Sequence, residues 1–180
     1  MKRNIIIIST LTFIIVGVLV MQMVKGFFPL PIGIRHLFHL MFAPNNLYQP
    51  IVLDKFLFYE QGFTKTYYLK PNYLDIYEIG FLIDKNGIES TYKFKGKIKV
   101  EFFVKDEFLI DSMITSMDSA LYKGTDMTHY KQISLYKFDI PLQKKYINDL
   151  SVKLTVLEPV QELKRFSDNV TLYIAVSATP

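Results

Sequence analysis

The three histidines are the first residues whose type and spacing could support chemistry. His36 and His39 are three positions apart, a spacing that on a helix could give two ligands to one metal ion, and His129 lies far along the chain. A third ligand would have to come from a distant loop. The place of His36 and His39 beside an apolar segment explains both as polar side chains at a membrane surface. We therefore expect no metal site.

A second group of residues could form a nucleophilic triad. Its serines and their potential partners are Ser112, Ser116, Ser119, Asp118, Asp126 and His129. The chain has no G-x-S-x-G turn to present such a serine, and polar residues of this kind commonly occupy loops and exposed faces. Asp106, Glu107 and Asp111 could pair for acid and base catalysis, but charge runs more often mark solvated surface. Because the chain also lacks a glycine-rich phosphate loop, we expect no catalytic residue and no cofactor.

The positive charge of the chain lies at its N-terminal end. The sequence has 21 Lys and Arg against 17 Asp and Glu, and before residue 45 it has four basic residues and no acidic one. The rest of the chain therefore has 17 basic and 17 acidic residues. A nucleic-acid binder would concentrate basic residues on its folded part. This pattern argues against nucleic acid as a partner and favours contact of the N-terminal part with anionic lipid.

Residues 5–24, "IIIISTLTFIIVGVLVMQMV", form an uncharged run of twenty residues. As a helix the run would be about 30 Å long, which matches the hydrocarbon core of a bilayer. No small-residue cleavage site follows it, and the chain has no cysteine for lipid attachment. Lys2 and Arg3 favour a cytoplasmic N-terminus. We predict an uncleaved transmembrane anchor over residues 1–25, with a cleaved leader as the alternative.

The segment 26–46 is apolar but is interrupted by Pro29, Pro31 and Gly33. Proline fixes φ and lacks an N–H group, so the first helix should end or kink near Phe28. Apolar residues at helical spacing from Ile32 onward predict a short helix that lies along the outer leaflet. The alternative is a segment that docks on the folded domain.

From residue 47 to residue 180 the hydrophobic pattern alternates as in β-strands. The predicted strands are residues 51–60, 64–70, 73–84, 88–95, 96–104, 130–140, 150–158 and 170–177. The sequence "DKNG" (84–87) predicts a hairpin between the third and fourth of them. Short strands bounded by turns indicate an antiparallel β-sandwich, immunoglobulin-like or jelly-roll-like, with one or two short helices. One of these helices is expected within residues 158–166, where Pro159 suits a first turn.

The segment 107–122 fits two structures. Ile110, Met113, Ile114 and Met117 recur at helical spacing, but a strand followed by a loop fits equally well. Such an apolar stripe could be a docking surface for a partner, although stripes of this kind more often face the core.

Four lysines alternate with apolar residues in "YKFKGKIKVE". They are Lys93, Lys95, Lys97 and Lys99. In one extended strand they would share a face at intervals of about 6.6 Å, and a turn or bulge at Gly96 would split them into two pairs. They are the candidate interaction surface, for anionic lipid, lipopolysaccharide or an acidic partner. The alternative is an exposed edge strand whose lysines prevent edge-to-edge pairing.

Several strand segments together resemble a known group of proteins. They are "YLDIYEIGFLI", "IKVEFFVKDEFLI", "SVKLTVLEPVQEL" and "NVTLYIAVS". With an N-terminal hydrophobic segment before them, they resemble bacterial envelope β-sandwich domains of unknown function, some of which are lipoproteins. This chain departs from the lipoprotein members because it has no cysteine. The resemblance implies a β-sandwich and carries over no catalytic residue.

The sequence thus predicts a membrane-tethered, extracytoplasmic binding domain of the bacterial envelope that is not an enzyme. The chain would be held in the inner membrane by residues 5–24, with a cytoplasmic N-terminus and a periplasmic or extracellular domain. Its partner would be an envelope protein, as for an immunity or accessory protein. The alternatives are a hydrolase that acts on envelope polymers or lipids, with Asp126 and His129 as the residues to change, and a structural subunit of a membrane assembly.

Overall fold

The computed structural model describes residues 12, 15–18, 44–73, 75–84, 93–115, 121–122, 130–139, 149–166 and 170–177. Most of the predicted anchor, and all but the last three residues of the 26–46 segment, lie outside this set. Residues 15–18 are helical. Within the described part of the chain, no helix is long and apolar enough to cross a membrane.

The described residues form nine strands and one short 3₁₀ helix. The strands are β1 (Val52–Lys55), β2 (Thr64–Tyr68), β3 (Ile76–Asp84), β4 (Lys97–Val104), β5 (Glu107–Thr115), β6 (Leu121–Tyr122), β7 (Tyr130–Asp139), β8 (Leu150–Glu158) and β9 (Thr171–Val176). The 3₁₀ helix, Gln161–Phe166, lies between β8 and β9. The protein is therefore mainly β, as the sequence predicts.

The strands form two antiparallel sheets. Sheet A has the order β1-β9-β3-β7-β6, and sheet B has the order β2-β8-β4-β5. The pairs β1–β9, β2–β8, β3–β7 and β4–β5 are those of one long folded hairpin whose tip is the β4–β5 turn. The pairs β3–β9 and β4–β8 then complete the two sheets. Strands far apart in sequence thus become neighbours.

The hydrophobic core lies between the sheets. In sheet B the inward residues alternate with polar ones, as in Ile98, Val100 and Phe102 of β4, because only one face of this sheet is buried. Strands β3 and β9 of sheet A are buried on both faces, which explains why both are almost continuously apolar. Aromatic contacts strengthen the core at one end, where the rings of Phe58 and Phe81 lie 5.0 Å apart.

The structure changes one sequence interpretation and narrows another. The predicted hairpin of 73–84 with 88–95 is wrong over the described residues, because β3 pairs with β7 on one side and with β9 on the other. For the segment 107–122, whose sequence fits a helix or a strand followed by a loop, the described residues 107–115 and 121–122 form the nine-residue strand β5 and the two-residue strand β6. The helix expected within 158–166 is present as the 3₁₀ helix.

Candidate functional site

The most exposed apolar surface of the described domain lies on β5. Phe108, Leu109, Ile110 and Met113 each expose between 43% and 58% of their surface, whereas Ile114 at the end of the strand is buried in the core. Among the described strands, β5 pairs only with β4. Its other side, here called the β5 edge, has no partner among the described strands and lies beside large apolar side chains.

The β5 edge is longer than the edge strands β1 and β2 and carries no lysine or proline. Natural edges are kept short or carry lysine or proline, which discourage pairing with another chain. The edge strand β1 has four residues and contains Lys55, and the edge strand β2 has five and contains Lys65. In contrast, β5 has nine residues with no Lys, Arg or Pro. Its only charged residues are Glu107 and Asp111.

A tight turn places β5 next to β4. Lys105 and Asp106 form the two-residue turn, and both have positive φ angles, 53° and 65°. Two successive left-handed residues define a type I′ turn, whose twist suits a hairpin but which favours Asn and Gly. The Lys105 N–H donates to the carbonyl of Asp149 at 3.0 Å, which ties the turn to the start of β8. The turn thus fixes where β5 begins.

A bulge next to this turn changes the direction of the β5 side chains. Phe102 pairs with Ile110 and Phe103 pairs with Phe108, so Leu109 is the extra residue of β5. Ile110 lies on the inner face with Phe102, and Phe108 lies on the outer face, where its ring meets that of Phe103 edge-on at 5.9 Å. Apolar residues are therefore exposed on both faces of the same strand.

A cavity opens beside β5, between the two sheets. Its volume is about 280 Å³. The lining comprises Phe102, Leu109, Ile110, Tyr136, Lys137, Phe138, Asp139 and Leu150. The strand β6 pairs with β7 only at Ile133 and Gln132. On the edge of β7 that faces away from β3, no other described strand pairs with the remaining residues, so the two sheets are open there. The exposed edge and an apolar groove thus form one continuous site.

The four lysines of the candidate interaction surface lie partly before β4 and partly within it, and each alternates with a buried residue. Lys93 and Lys95 are exposed and precede β4, whereas Lys97 and Lys99 lie within it. A register shift against β8 falls directly after Lys97. The interpretation as a protected edge strand is wrong, because β4 lies between β8 and β5.

Carboxylates neutralise the lysines that lie within β4. Lys99 contacts Glu101 at 2.7 Å and Asp111 at 3.7 Å, and Lys97 contacts Glu158 at 3.6 Å. Lys153 of β8 also reaches Glu101, at 3.5 Å. The hydrogen bond from Lys99 holds the pKa of Glu101 below its usual value. Within the described strands, this outer face therefore has three lysines and three carboxylates, so the charges that lie on the strands balance.

A buried carboxyl group lies on the opposite sheet. Glu78 of β3 is buried, and it accepts hydrogen bonds from four uncharged groups. Gln132 Nε2 and the Tyr173 hydroxyl donate to Oε1, both at 2.8 Å, while the hydroxyls of Ser134 and Ser177 donate to Oε2 at 3.2 and 3.1 Å. Since these donors come from β7, β9 and the residue after β9, the Glu78 network joins the three central strands of sheet A.

The tyrosine of this network requires a glycine next to it. A Cβ atom on Gly80 would lie 2.5 Å from the Tyr173 hydroxyl and 2.3 Å from the Ile133 carbonyl oxygen. The phenol ring therefore occupies the space above the glycine. Burial, followed by the negative charge of Glu78, raises the pKa of Tyr173. The network is thus a closed, packed structure with little room for a substrate.

The residues considered for catalysis are only partly within the described chain. Ser116, Ser119, Asp118, Asp126, His129, His36 and His39 lie outside it. Asp106 is in the turn, Glu107 and Asp111 are exposed on β5, and Ser112 is half-buried there. No group of three or more potential metal ligands occurs among the described residues.

Sequence reasoning considered the apolar stripe of 107–122 as a docking surface but did not identify the β5 edge, and it missed the Glu78 network. The first has a sequence signal: nine residues rich in large apolar side chains without Lys, Arg or Pro. The second has only a weak one, a single acidic residue in the apolar strand "YEIGF".

Comparison with known proteins gives no relative. No family model, no curated protein and no solved structure matches this chain.

Proposed function

We propose that this chain is a membrane-tethered, extracytoplasmic protein-interaction module of the bacterial envelope, without catalytic activity, that binds its partner through the β5 edge. The observation that supports this most is that β5 combines a side with no partner among the described strands with four exposed apolar side chains. Such edges are templates for pairing with another chain. A protein that leaves one accessible to solvent therefore tends to aggregate unless a partner covers the edge.

The tether rests on the sequence. Residues 5–24 are long enough and apolar enough to span a bilayer, and Lys2 and Arg3 favour a cytoplasmic N-terminus. In this arrangement the sandwich is held close to the outer face of the inner membrane. Tethering raises the local concentration of the domain near a membrane-bound partner, so a modest edge contact suffices for binding.

We also infer that the sandwich is a jelly roll rather than an immunoglobulin-like domain. With the two-residue β6 set aside, eight strands pair as one long hairpin wrapped into two four-stranded sheets. Jelly rolls perform many unrelated functions, so the proposed function rests on the β5 edge and not on the fold.

The test is quantitative cross-linking in native membranes with the tagged full-length chain. Ile110→Lys adds a charge to the β5 edge and the groove, and Leu53→Lys is the matched control because Leu53 is equally exposed, at 58%, on the edge strand β1. We expect a protein recovered with the unchanged chain to be lost with Ile110→Lys and kept with Leu53→Lys.

Two results would contradict the proposal. Equal recovery with both variants would show that binding does not use the β5 edge. Recovery of no protein with any bait would favour a function in catalysis or in binding lipid. Circular dichroism of both variants checks that the fold is intact, which is expected because both side chains are more than half exposed.

A further inference from the structure

We infer that the partner supplies an extended strand that pairs with β5, with basic side chains on its outer face and an apolar side chain that enters the groove. This inference rests on the proposed function and identifies the chemistry of its partner. It concerns only the side of β5 that faces away from β4.

The backbone of β5 can accept a strand of considerable length. Its nine residues extend over about 30 Å, and in the six regular residues after the bulge at Leu109, about 20 Å long, alternate residues direct their N–H and C=O groups away from β4. A strand added there forms main-chain hydrogen bonds along its length, and its side chains alternate between the two faces of sheet B. This mode of recognition derives affinity from the backbone and specificity from every second side chain.

The charges on the edge strand itself favour a basic partner, although those of the outer face of sheet B balance as a whole. Asp111 lies on the outer face opposite Glu101, Glu107 lies on the inner face opposite Val104, and no basic residue lies on the strand. Asp111 is 53% exposed at its side chain, and its contact with Lys99 is 3.7 Å long, since that lysine lies closer to Glu101. A Lys or Arg opposite Asp111 on an added strand would therefore meet a carboxylate that retains room for a second partner.

The same charges argue against a second copy of this chain. Two β5 strands paired with each other would bring four carboxylates and no basic residue together. A pair centred on Asp111 places the two Asp111 carboxylates directly opposite each other. Like charges that lie directly opposite each other destabilise a strand pair. The occupant that fits is therefore a different chain with the opposite charge.

The groove specifies an apolar side chain at the inner positions. Ile110 lies on the inner face and lines the cavity, so a residue across from it on an added strand points into the same space. The cavity volume of about 280 Å³ lies just below the range of about 300–1,000 Å³ that holds drug-sized ligands. It suits a large side chain of a strand better than a whole organic ligand.

The experiment uses the purified full chain and labelled nine-residue peptides in which lysine alternates with valine. The comparison peptide has glutamate in place of lysine. Two further peptides carry N-methyl groups on the odd or on the even residues, which blocks backbone hydrogen bonding on one side only. Fluorescence anisotropy measures the affinities, and hydrogen exchange measures the protection of the β5 amides.

We expect the lysine peptide to bind more tightly than the glutamate peptide, and its binding to protect the β5 amides. One N-methylated series should lose binding while the other keeps it, since only one side of the peptide faces β5. Asp111→Asn should weaken binding of the lysine peptide about two- to five-fold. Glu162→Gln is the matched control, because Glu162 is exposed on the 3₁₀ helix, and it should change nothing.

Three outcomes overturn the inference. They are equal binding of both N-methylated series, no protection of β5, and self-association of the chain that Ile110→Lys abolishes. Failure of the proposed function is a separate result: cross-linking would then recover no partner that depends on β5. If cross-linking recovers such a partner but the peptides fail, the function stands and the chemistry assigned to the partner is wrong.

Discussion

Replacing Glu78 by Ala should lower the free energy of unfolding by about 3–7 kcal/mol, whereas Glu78→Gln should lower it by about 1–2 kcal/mol. The larger loss has two sources. The buried hydroxyls of Tyr173 and Ser177 would lose their acceptor, at about 1–3 kcal/mol each. The one buried methylene group that Ala lacks adds about 0.8 kcal/mol. Gln132 and Ser134 are half-buried, so water can replace their lost bonds.

The glutamine variant is the sharper chemical comparison. It keeps the size of the side chain and one carbonyl acceptor, and its NH₂ group can donate to serine hydroxyls, which rotate to accept. Only the added strength of hydrogen bonds to a charged acceptor is lost, and this accounts for its smaller effect.

A double-mutant cycle with Tyr173→Phe tests the network directly. In the unchanged chain, Tyr173→Phe removes the 2.8 Å hydrogen bond to Glu78 and should be destabilising. In the Glu78→Ala background it removes a hydroxyl that has already lost its acceptor, so it should be neutral or stabilising. A change of sign between backgrounds is the signature of a coupled buried pair.

Urea unfolding of the full chain, followed by circular dichroism, measures these differences. Glu162→Ala is the control, because it removes an exposed carboxylate and should change the midpoint little. If Tyr173→Phe had the same cost in both backgrounds, or if Glu78→Ala matched Glu162→Ala, the account of the Glu78 network would be refuted.

Three further predictions concern other parts of the fold. Gly80→Ala should destabilise the protein far more than Gly62→Ala when urea midpoints are compared, because a Cβ at Gly80 meets a backbone oxygen at 2.3 Å. Gly62 has open space and only a positive φ of 78°, which costs about 1 kcal/mol. Changing Lys105 to Asn and Asp106 to Gly should raise the free energy of unfolding by about 1 kcal/mol, seen as a higher urea midpoint, because both turn positions have positive φ. An unchanged midpoint would refute the type I′ assignment. Alkaline pH should destabilise the protein, since burial raises the pKa of Tyr67, Tyr77 and Tyr173 above the ordinary value of 10.0. Above pH 10 the native state holds these protons while the unfolded state releases them. The contribution of these tyrosines to stability is therefore constant below pH 10 and falls above it by up to about 1.4 kcal/mol per pH unit for each tyrosine. Urea unfolding at several pH values above 10 should therefore show that the free energy of unfolding falls less steeply with pH in Tyr173→Phe than in the unchanged chain.

The sequence predicts strands well where one face of a sheet is buried. Residues 150–158 have the alternation of inward Val152, Leu154 and Val156 with more exposed residues, and β8 has the same bounds as the prediction. The prediction of 96–104 differs from β4 by one residue. Period-two burial is a local property, so a local pattern is enough to reveal it.

Strand pairing is not a local property, and here the sequence misleads. The turn chemistry of "DKNG" predicted that 73–84 would pair with the residues that follow it. In the structure, Tyr77 instead lies opposite Phe138 and Val176. Turn residues report only whether the chain can reverse, whereas the sheet order depends on packing between segments separated by about half the chain. The Glu78 network is hidden for the same reason, because its donors lie far along the chain.

The helical spacing within β5 arises because apolar residues lie on both faces of the strand: Ile110 and Ile114 are on the inner face, whereas Met113 is on the outer face. The bulge at Leu109 adds one residue before them, so the inward positions do not follow a strict alternation around it. Phe108, Leu109 and Ile110 are then exposed on different faces, and the apolar pattern no longer has the period of a half-buried strand. A pattern that fits neither period can therefore indicate a strand edge that is exposed on both faces.

The Glu78 network and the β5 edge separate stability from binding. Glu78 is enclosed in sheet A, so its loss should weaken folding while the surface of β5 keeps its composition. Ile110 is more than half exposed, so its replacement should leave folding almost unchanged and alter only what β5 can pair with. A chain selected for stability alone gains nothing from an edge of nine residues without lysine or proline, since such an edge invites aggregation. That cost is explained if the edge is covered by another protein when the domain performs its function.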